Sequence, residues 1–258
     1  MTVLKKFWRV GSLRLFQSAF LCRNCSSSAH SPDLDTIKRD ILDHSISHVP
    51  ALGWTHECII QGAIDYGYSS SAHGLFPRGG ADLALHFYDK SNKAVIDSME
   101  TKRAEASNAG DEPVHISSGK LVRDAIEARI RMTSEYRDSW PQAMALLSSP
   151  AIAADSLHLL STLMDDIWYE AGDRSHDMNW YSKRASLAFI YKTTELFMLQ
   201  DKSHDFEETW KFLDRRFEDV GMVGGTISAV GDIASGFMQG GYRSLWTVMK
   251  NMAGIFPR

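Results

Sequence analysis

From residue 35 onward the apolar positions recur at intervals of three and four, and no stretch keeps the two-residue alternation of a strand, so the class is all-α. A first helix is predicted from Asp35 to about Val49, apolar at Ile37, Ile41, Leu42, Ile46 and Val49 and stopped by Pro50 and Gly53. A second runs from about His56 to Tyr66 and ends at Gly67; a short third covers Ser70 to Phe76. A fourth follows Gly79 and Gly80, carries Leu83, Leu85, Phe87 and Tyr88, and ends near Glu100. Thr101 to Lys120 is polar, holds Gly110, Pro113 and Gly119, and reads as a linker. Helical spacing then resumes over Leu121 to Tyr136, after Pro141, over Ala151 to Ala171, over Asp177 to Gln200 and over Asp205 to Val220. Asp205 and Glu208 form a plausible capping pair for the last start.

Two of these segments stand apart. The middle of the Asp177 to Gln200 helix is apolar almost all round (Leu187, Ala188, Phe189, Ile190, Leu196, Phe197, Met198, Leu199), so it is buried in a body or lines a cavity. Its first two turns place Asp177, Trp180, Tyr181 and Arg184 at i, i+3, i+4 and i+7 on one face. Such a face suits an interface anchor or an anion clasp, and equally a helix start packed on a neighbour with an ordinary ion pair. Beyond residue 222, Val223, Ile227, Val230, Ala234, Phe237, Met238, Leu245, Val248, Met249 and Met252 gather on one side, bordered by Trp246. Glycines at 224, 225, 231, 236, 240 and 241 each cost roughly 1 kcal/mol relative to Ala. This amphipathic helix therefore needs a surface to form on: a bilayer, the protein's own body or a second chain.

Charge sharpens the picture at the N-terminus. The first 32 residues hold Lys5, Lys6, Arg9, Arg14 and Arg23 and no acid, interleaved with Phe7, Trp8, Val10, Leu13, Leu15, Phe16 and Phe20 and followed by Ser26 to Ser28. That is the pattern of a mitochondrial transit peptide, with a basic arm as the alternative. The whole chain carries 28 cations and 32 acids; without those five cations the balance moves from −4 to −9. Cys22 and Cys25 fall in this segment, and Cys58 stands alone on an apolar helix as a buried thiol.

The region from 35 to 100 has the outline of a helix-turn-helix head, with Ser70 to Phe76 where a groove-reading helix would lie. Between residues 35 and 90, Lys38, Arg39, Arg78 and Lys90 face seven acids (Asp35, Asp40, Asp43, Glu57, Asp65, Asp82 and Asp89). Phosphate contacts supply nearly all non-specific DNA affinity, so this balance argues against nucleic acid as a partner. Catalytic constellations are poor as well. One Glu-x-x-His (Glu112, His115) sits beside Pro113, and His44 with His48 has no evident third ligand. The acids Asp165, Asp166, Glu170, Asp173 and Asp177, with His176, read as capping of the following helix plus a charged rim. Neither a cofactor nor a catalytic residue is indicated.

Two resemblances can be named on particular residues. The head, through Gly53-Trp54-Thr55, Gly67-Tyr68-Ser69, Leu75-Phe76-Pro77 and Leu83, resembles the N-terminal domain of TetR-type repressors. From about residue 36 onward the chain resembles the mitochondrial ubiquinone (coenzyme Q) biosynthesis accessory lipid-binding family. The likeness rests on Ala51-Leu52-Gly53-Trp54, Met164-Asp165-Asp166-Ile167-Trp168, Ala171-Gly172-Asp173, Asn179-Trp180-Tyr181, Arg184-Ala185, Tyr191 to Leu196, Gln200-Asp201, Asp205 to Glu207 and Thr209-Trp210. It implies a TetR-like fold without a regulatory role: a transit peptide (1–32), a head (35–100), a linker (101–119), a helical lipid-binding body (120–220) and a membrane-associating amphipathic helix (221–258).

It also implies binding of phospholipids and isoprenoid quinone lipids, with Met164, Trp168, Phe189, Leu196 and Phe197 as lining positions and Arg184 at a head-group position. Asp165, Ile167, Asp177, Trp180, Tyr181 and Arg184 match the family's surface for its partner, the demethoxyubiquinone hydroxylase of the ubiquinone-synthesis complex. Ile227, Val230, Phe237, Met238, Leu245, Trp246 and Met249 would meet the matrix face of the inner membrane, and a homodimer is expected. Met178 departs from the family's usual aromatic, and the linker and last twenty residues match weakly. The alternative function is a ligand-responsive TetR-type transcription regulator.

Overall fold

Glycine and the small polar residues decide where the helices stop, and the buried aromatics decide how they stack. The computed structural model describes residues 33–108, 118–174 and 178–219, with α1 (Leu34–Ile46), α2 (Val49–Leu52), α3 (His56–Asp65), α4 (Gly80–Asn108), α5 (Ser118–Ser134), α6 (Trp140–Leu147), α7 (Ala153–Glu170), α8 (Met178–Gln200) and α9 (Glu207–Asp219). Two 3₁₀ turns, Ser70–Leu75 and His204–Phe206, complete the order, and no strand occurs among the described residues. The expected leader (1–32), Glu112, His115, His176, Asp177 and everything from Val220 to the C-terminus lie outside the described residues, and with them the seven positions expected to face a membrane. No described helix is long and apolar enough to cross a membrane.

The head is built from α1, α2, α3 and the first 3₁₀ turn. Thr55 caps α3 by accepting a hydrogen bond from the Cys58 amide. Gly67, at φ 91°, ends α3: its amide donates to Ile64 and that of Tyr68 donates to Ala63, the paired closure that a left-handed residue permits. Cys58 is buried as expected; its Sγ donates to the Ser45 carbonyl at 2.9 Å, and burial pushes its thiol up to about 11. His44 and His48 do not act as a pair: His48 binds Asp65 at 2.5 Å, and His44 bonds the Asp40 carbonyl. The segment expected as a third helix is a 3₁₀ turn in which no residue is buried.

Head and body meet through Trp54. This ring is buried against Phe87 of α4 and Tyr136 and Trp140 on either side of the α5–α6 turn, with centroids at 5.4, 5.8 and 5.6 Å in edge-to-face arrangements. Gln142 of α6 grips the same residue's backbone, accepting from its amide at 2.9 Å and donating to its carbonyl at 3.3 Å. On the outside, Arg78 pairs with Asp82 and with Asp155 of α7, at 2.7 and 2.6 Å.

Two expectations are corrected. The linker expected over 101–119 is helical at both ends, since α4 continues to Asn108 and α5 begins at Ser118. Glu100 to Glu105 is rich in helix formers and exposed, so the helix persists there by propensity, and Arg103 ties its flank to Glu170 of α7. Asp205 does not cap α9. Its backbone is left-handed (φ 51°) and its carboxylate turns away to Arg131 at 3.1 Å. The first turn of α9 is served from further back: Asp201 accepts from the Thr209 amide and hydroxyl, and Ser203 accepts from the Glu208 amide.

Candidate functional site

The end of α7 and the start of α8 form a compact polar and aromatic face. Gly172 makes it possible: at φ 91° its amide donates to Tyr169, and the Asp173 amide donates to Trp168 at 2.9 Å. This turn delivers the Asp173 carboxylate to the first turns of α8, where it meets Lys183 Nζ at 2.8 Å and Arg184 Nη1 at 3.5 Å. Arg184 is buried, and Asp165 of α7 takes both its Nε and its Nη2 at 2.6 Å. Its guanidinium lies 4.1 Å from the Trp180 ring centroid and donates to the Trp180 carbonyl at 3.2 Å. Lys183 reaches over the Trp168 ring, whose Nε1 donates to the Lys183 carbonyl.

Tyr181 stands on this platform. Its ring packs edge-on against Trp180 at 4.7 Å, yet the residue is 68% exposed, the most exposed large hydrophobic residue in the described chain. A second exposed aromatic, Tyr169, is stacked under Arg174 at 3.6 Å. Asp166 lies beside them with a carboxyl above its usual range, raised by burial and by the neighbouring charges of Asp165 and Glu170. The face therefore offers aromatic surface on a base held by the Arg184–Asp165, Arg184–Asp173 and Lys183–Asp173 pairs, which suits recognition. Among the described residues no group of three His, Cys, Asp or Glu could hold a metal ion.

Of the expected partner set, Asp165, Trp180, Tyr181 and Arg184 come together here, and Asp177 lies outside the described residues. Ile167 is completely buried, so it supports the face from beneath and cannot be touched by a partner. The acids near 165–173 are chiefly tertiary: Asp165 and Asp173 bind cations of α8. Of the expected lipid-lining residues, Trp168 borders this face through Lys183. Met164 and Trp168 are buried, and Phe197 stacks face to face on Phe212 of α9 at 4.5 Å. Phe189 and Leu196 are half-buried and sit roughly 120–140° round α8 from Arg184. Reading α8 as apolar all round is thus refined: one face is core, and the opposite one is partly open.

Lys183, Tyr169 and Arg174 were missed in the sequence. The Gly172-Asp173 pair was the available signal, because a glycine just past a helix end fixes where the next acid points.

The COQ9 family model matches residues 153–224, which include this face. The chain is 38% identical over 226 residues to the ubiquinone biosynthesis protein COQ9-A, mitochondrial, of Xenopus laevis, covering 87% of this chain and 70% of that one. It is 38% identical over 224 residues to the ubiquinone biosynthesis protein COQ9, mitochondrial, of Homo sapiens, with the same coverage, and 38% over 227 residues to that of Drosophila melanogaster, covering 88% and 68%. Among solved structures, a TetR transcriptional regulator from Nitrosomonas europaea superposes with a TM-score of 0.53 at 19% identity, over 72% of this chain and 98% of that one, a likeness of fold.

Proposed function

The chain belongs to the COQ9 family of mitochondrial ubiquinone biosynthesis proteins, and from that premise we propose that it is a non-catalytic lipid carrier and docking subunit of the pathway. In this reading it takes an isoprenoid quinone intermediate or a phospholipid from the matrix face of the inner membrane and presents it to the demethoxyubiquinone hydroxylase. The physical need is plain: a long isoprenoid tail resists leaving a bilayer by about 0.8 kcal/mol per buried CH₂. A protein that shields the tail lowers that barrier.

The observation that carries the reading is Tyr181, an exposed ring on a base made rigid by Trp180 and the doubly paired Arg184. Aromatic anchors with low rotamer freedom are what protein interfaces use as hot spots. Support for the lipid role comes from the half-buried Leu196 on α8 and from the amphipathic sequence beyond residue 222. The regulator alternative is disfavoured by the head, whose exposed 3₁₀ turn offers no cation and whose Arg78 and Lys90 are already held by acids.

Tyr181→Ala is expected to weaken co-purification with the hydroxylase by tenfold or more, on the order of a 2 kcal/mol anchor, while the melting temperature stays unchanged. Retained association would refute the docking face. Native mass spectrometry of the purified chain should show a bound isoprenoid or phospholipid; an empty protein would refute the carrier role.

A further inference from the structure

At the centre of the body, away from the α7–α8 face, lies a buried cluster with more positive charge than it can balance. Arg129 of α5 is completely buried. Its Nε donates to Asn92 Oδ1 at 3.0 Å and its Nη1 to Thr133 Oγ1 at 2.7 Å, while its Nη2 has no hydrogen-bond partner. Among the described residues no carboxylate pairs with it; its guanidinium sits instead against aromatic rings, 4.6 Å from the centroid of Tyr88 and 5.9 Å from that of Tyr191. A second cation, Lys192 of α8, extends over the same two rings at 5.2 and 5.0 Å.

One acid lies in the cluster, and it pairs with Lys192. Glu195 is completely buried and takes Lys192 Nζ at 2.9 Å on one oxygen; its other oxygen accepts from Trp140 Nε1 and the Tyr191 hydroxyl, each at 3.1 Å. Burial alone would depress the Lys192 ammonium, but Glu195 outweighs it and holds Lys192 above its usual range. Burial likewise raises Tyr191 well above the ordinary phenol, so no tyrosinate supplies the missing charge. The sum is two cations and one anion. The Tyr88 hydroxyl, buried beside that of Tyr191, is also without a well-formed hydrogen bond.

A buried net charge is costly unless something pairs it, and a guanidinium N–H left orphaned in the interior forfeits a strong, charge-assisted bond. We propose that the Arg129–Lys192–Glu195 cluster is a binding site for a singly charged phosphate-type oxyanion, such as a phosphodiester. One negative charge neutralises the cluster, its oxygens answer Arg129 Nη2 and the Tyr88 hydroxyl, and the aromatic rings around it suit the apolar remainder of a lipid. Lys192, whose side chain is 25% exposed, is the member of the cluster that reaches solvent most. Carrier and docking roles are not required for this site, which stands on the cluster alone.

Isothermal titration of the full chain separates the sources of the anion. Inorganic phosphate and a soluble dihexanoyl phosphatidylglycerol are titrated into the wild type and into Tyr88→Phe, Arg129→Lys and Lys90→Ala. Saturable binding is expected, weakened about tenfold or more in Tyr88→Phe and Arg129→Lys and unchanged in Lys90→Ala, a surface cation on α4. Binding of phosphate itself points to a small free anion, and binding of the phosphodiester alone to a lipid head group. If Arg129→Lys fails to fold, Tyr88→Phe, which deletes one oxygen, still decides. The proposal is overturned by no saturable binding of either probe, leaving the orphan donors to water, by undiminished binding in Tyr88→Phe, or by equal weakening in Lys90→Ala.

Discussion

Single side chains in this fold act mainly by closing helix ends, and Asp201 shows how much one can carry. Its two oxygens accept from the Ser203 amide at 2.8 Å and from the Thr209 amide and hydroxyl at 2.9 and 2.6 Å. Burial works to raise its pKa, but those hydrogen bonds outweigh it and bring the group down to about 2 from 3.8. Because the folded value lies below the unfolded one, the associated stability is complete above about pH 4 and is lost as pH falls toward 2. Asp201→Ala should cost about 1–2 kcal/mol at neutral pH and should flatten the acid limb of a urea-unfolding series between pH 4 and 2. An unaltered acid limb would assign the pH dependence elsewhere. Asp166 has the opposite sign: its carboxyl is raised, so Asp166→Asn is expected to increase the melting temperature at neutral pH.

At the scale of elements, the crossing of α1 and α3 is a tight constraint. A methyl group added at Gly62 would lie 2.6 Å from the Ser45 amide nitrogen and 2.7 Å from its Cα, which no rotamer change can relieve. Gly62→Ala should therefore destabilise by roughly 1–3 kcal/mol or more, seen as a fall in melting temperature, despite Ala being the better helix former. Nothing in the sequence marks Gly62, because the clash is with a residue seventeen positions away. The helices themselves were largely legible from periodicity, Gly67 and Gly172, although α4 runs on to Asn108 and the expected Asp35–Val49 helix is divided into α1 and α2. What escaped depended on partners supplied by other elements. Asp205 followed by Glu208 looks like a capping pair in one dimension, yet Arg131 claims the acid and Asp201 does the capping. Ile167 sits in a run of surface-like residues but faces inward. The Tyr181 face was legible from its i, i+3, i+4, i+7 spacing, whereas its foundation in Asp173 required knowing how the α7–α8 turn folds back.

For the whole molecule, the expected division into head, linker and body gives way to a continuous α4 with Trp54 set into the body's aromatic stack. Calorimetry should accordingly show one unfolding transition with equal calorimetric and van't Hoff enthalpies; two separated transitions would restore the divided picture. Flotation on anionic liposomes, with and without residues 223–258, tests the proposed membrane attachment at the same scale, and equal flotation would refute it. The forked amide of Gln142 has a last consequence. A reader of double-stranded operators must let its reading units tilt to match the spacing of grooves along a duplex, and here the unit is riveted through its main chain to the adjoining helices. A shift of α6 is therefore expected to carry the N-terminal helices with it as one body.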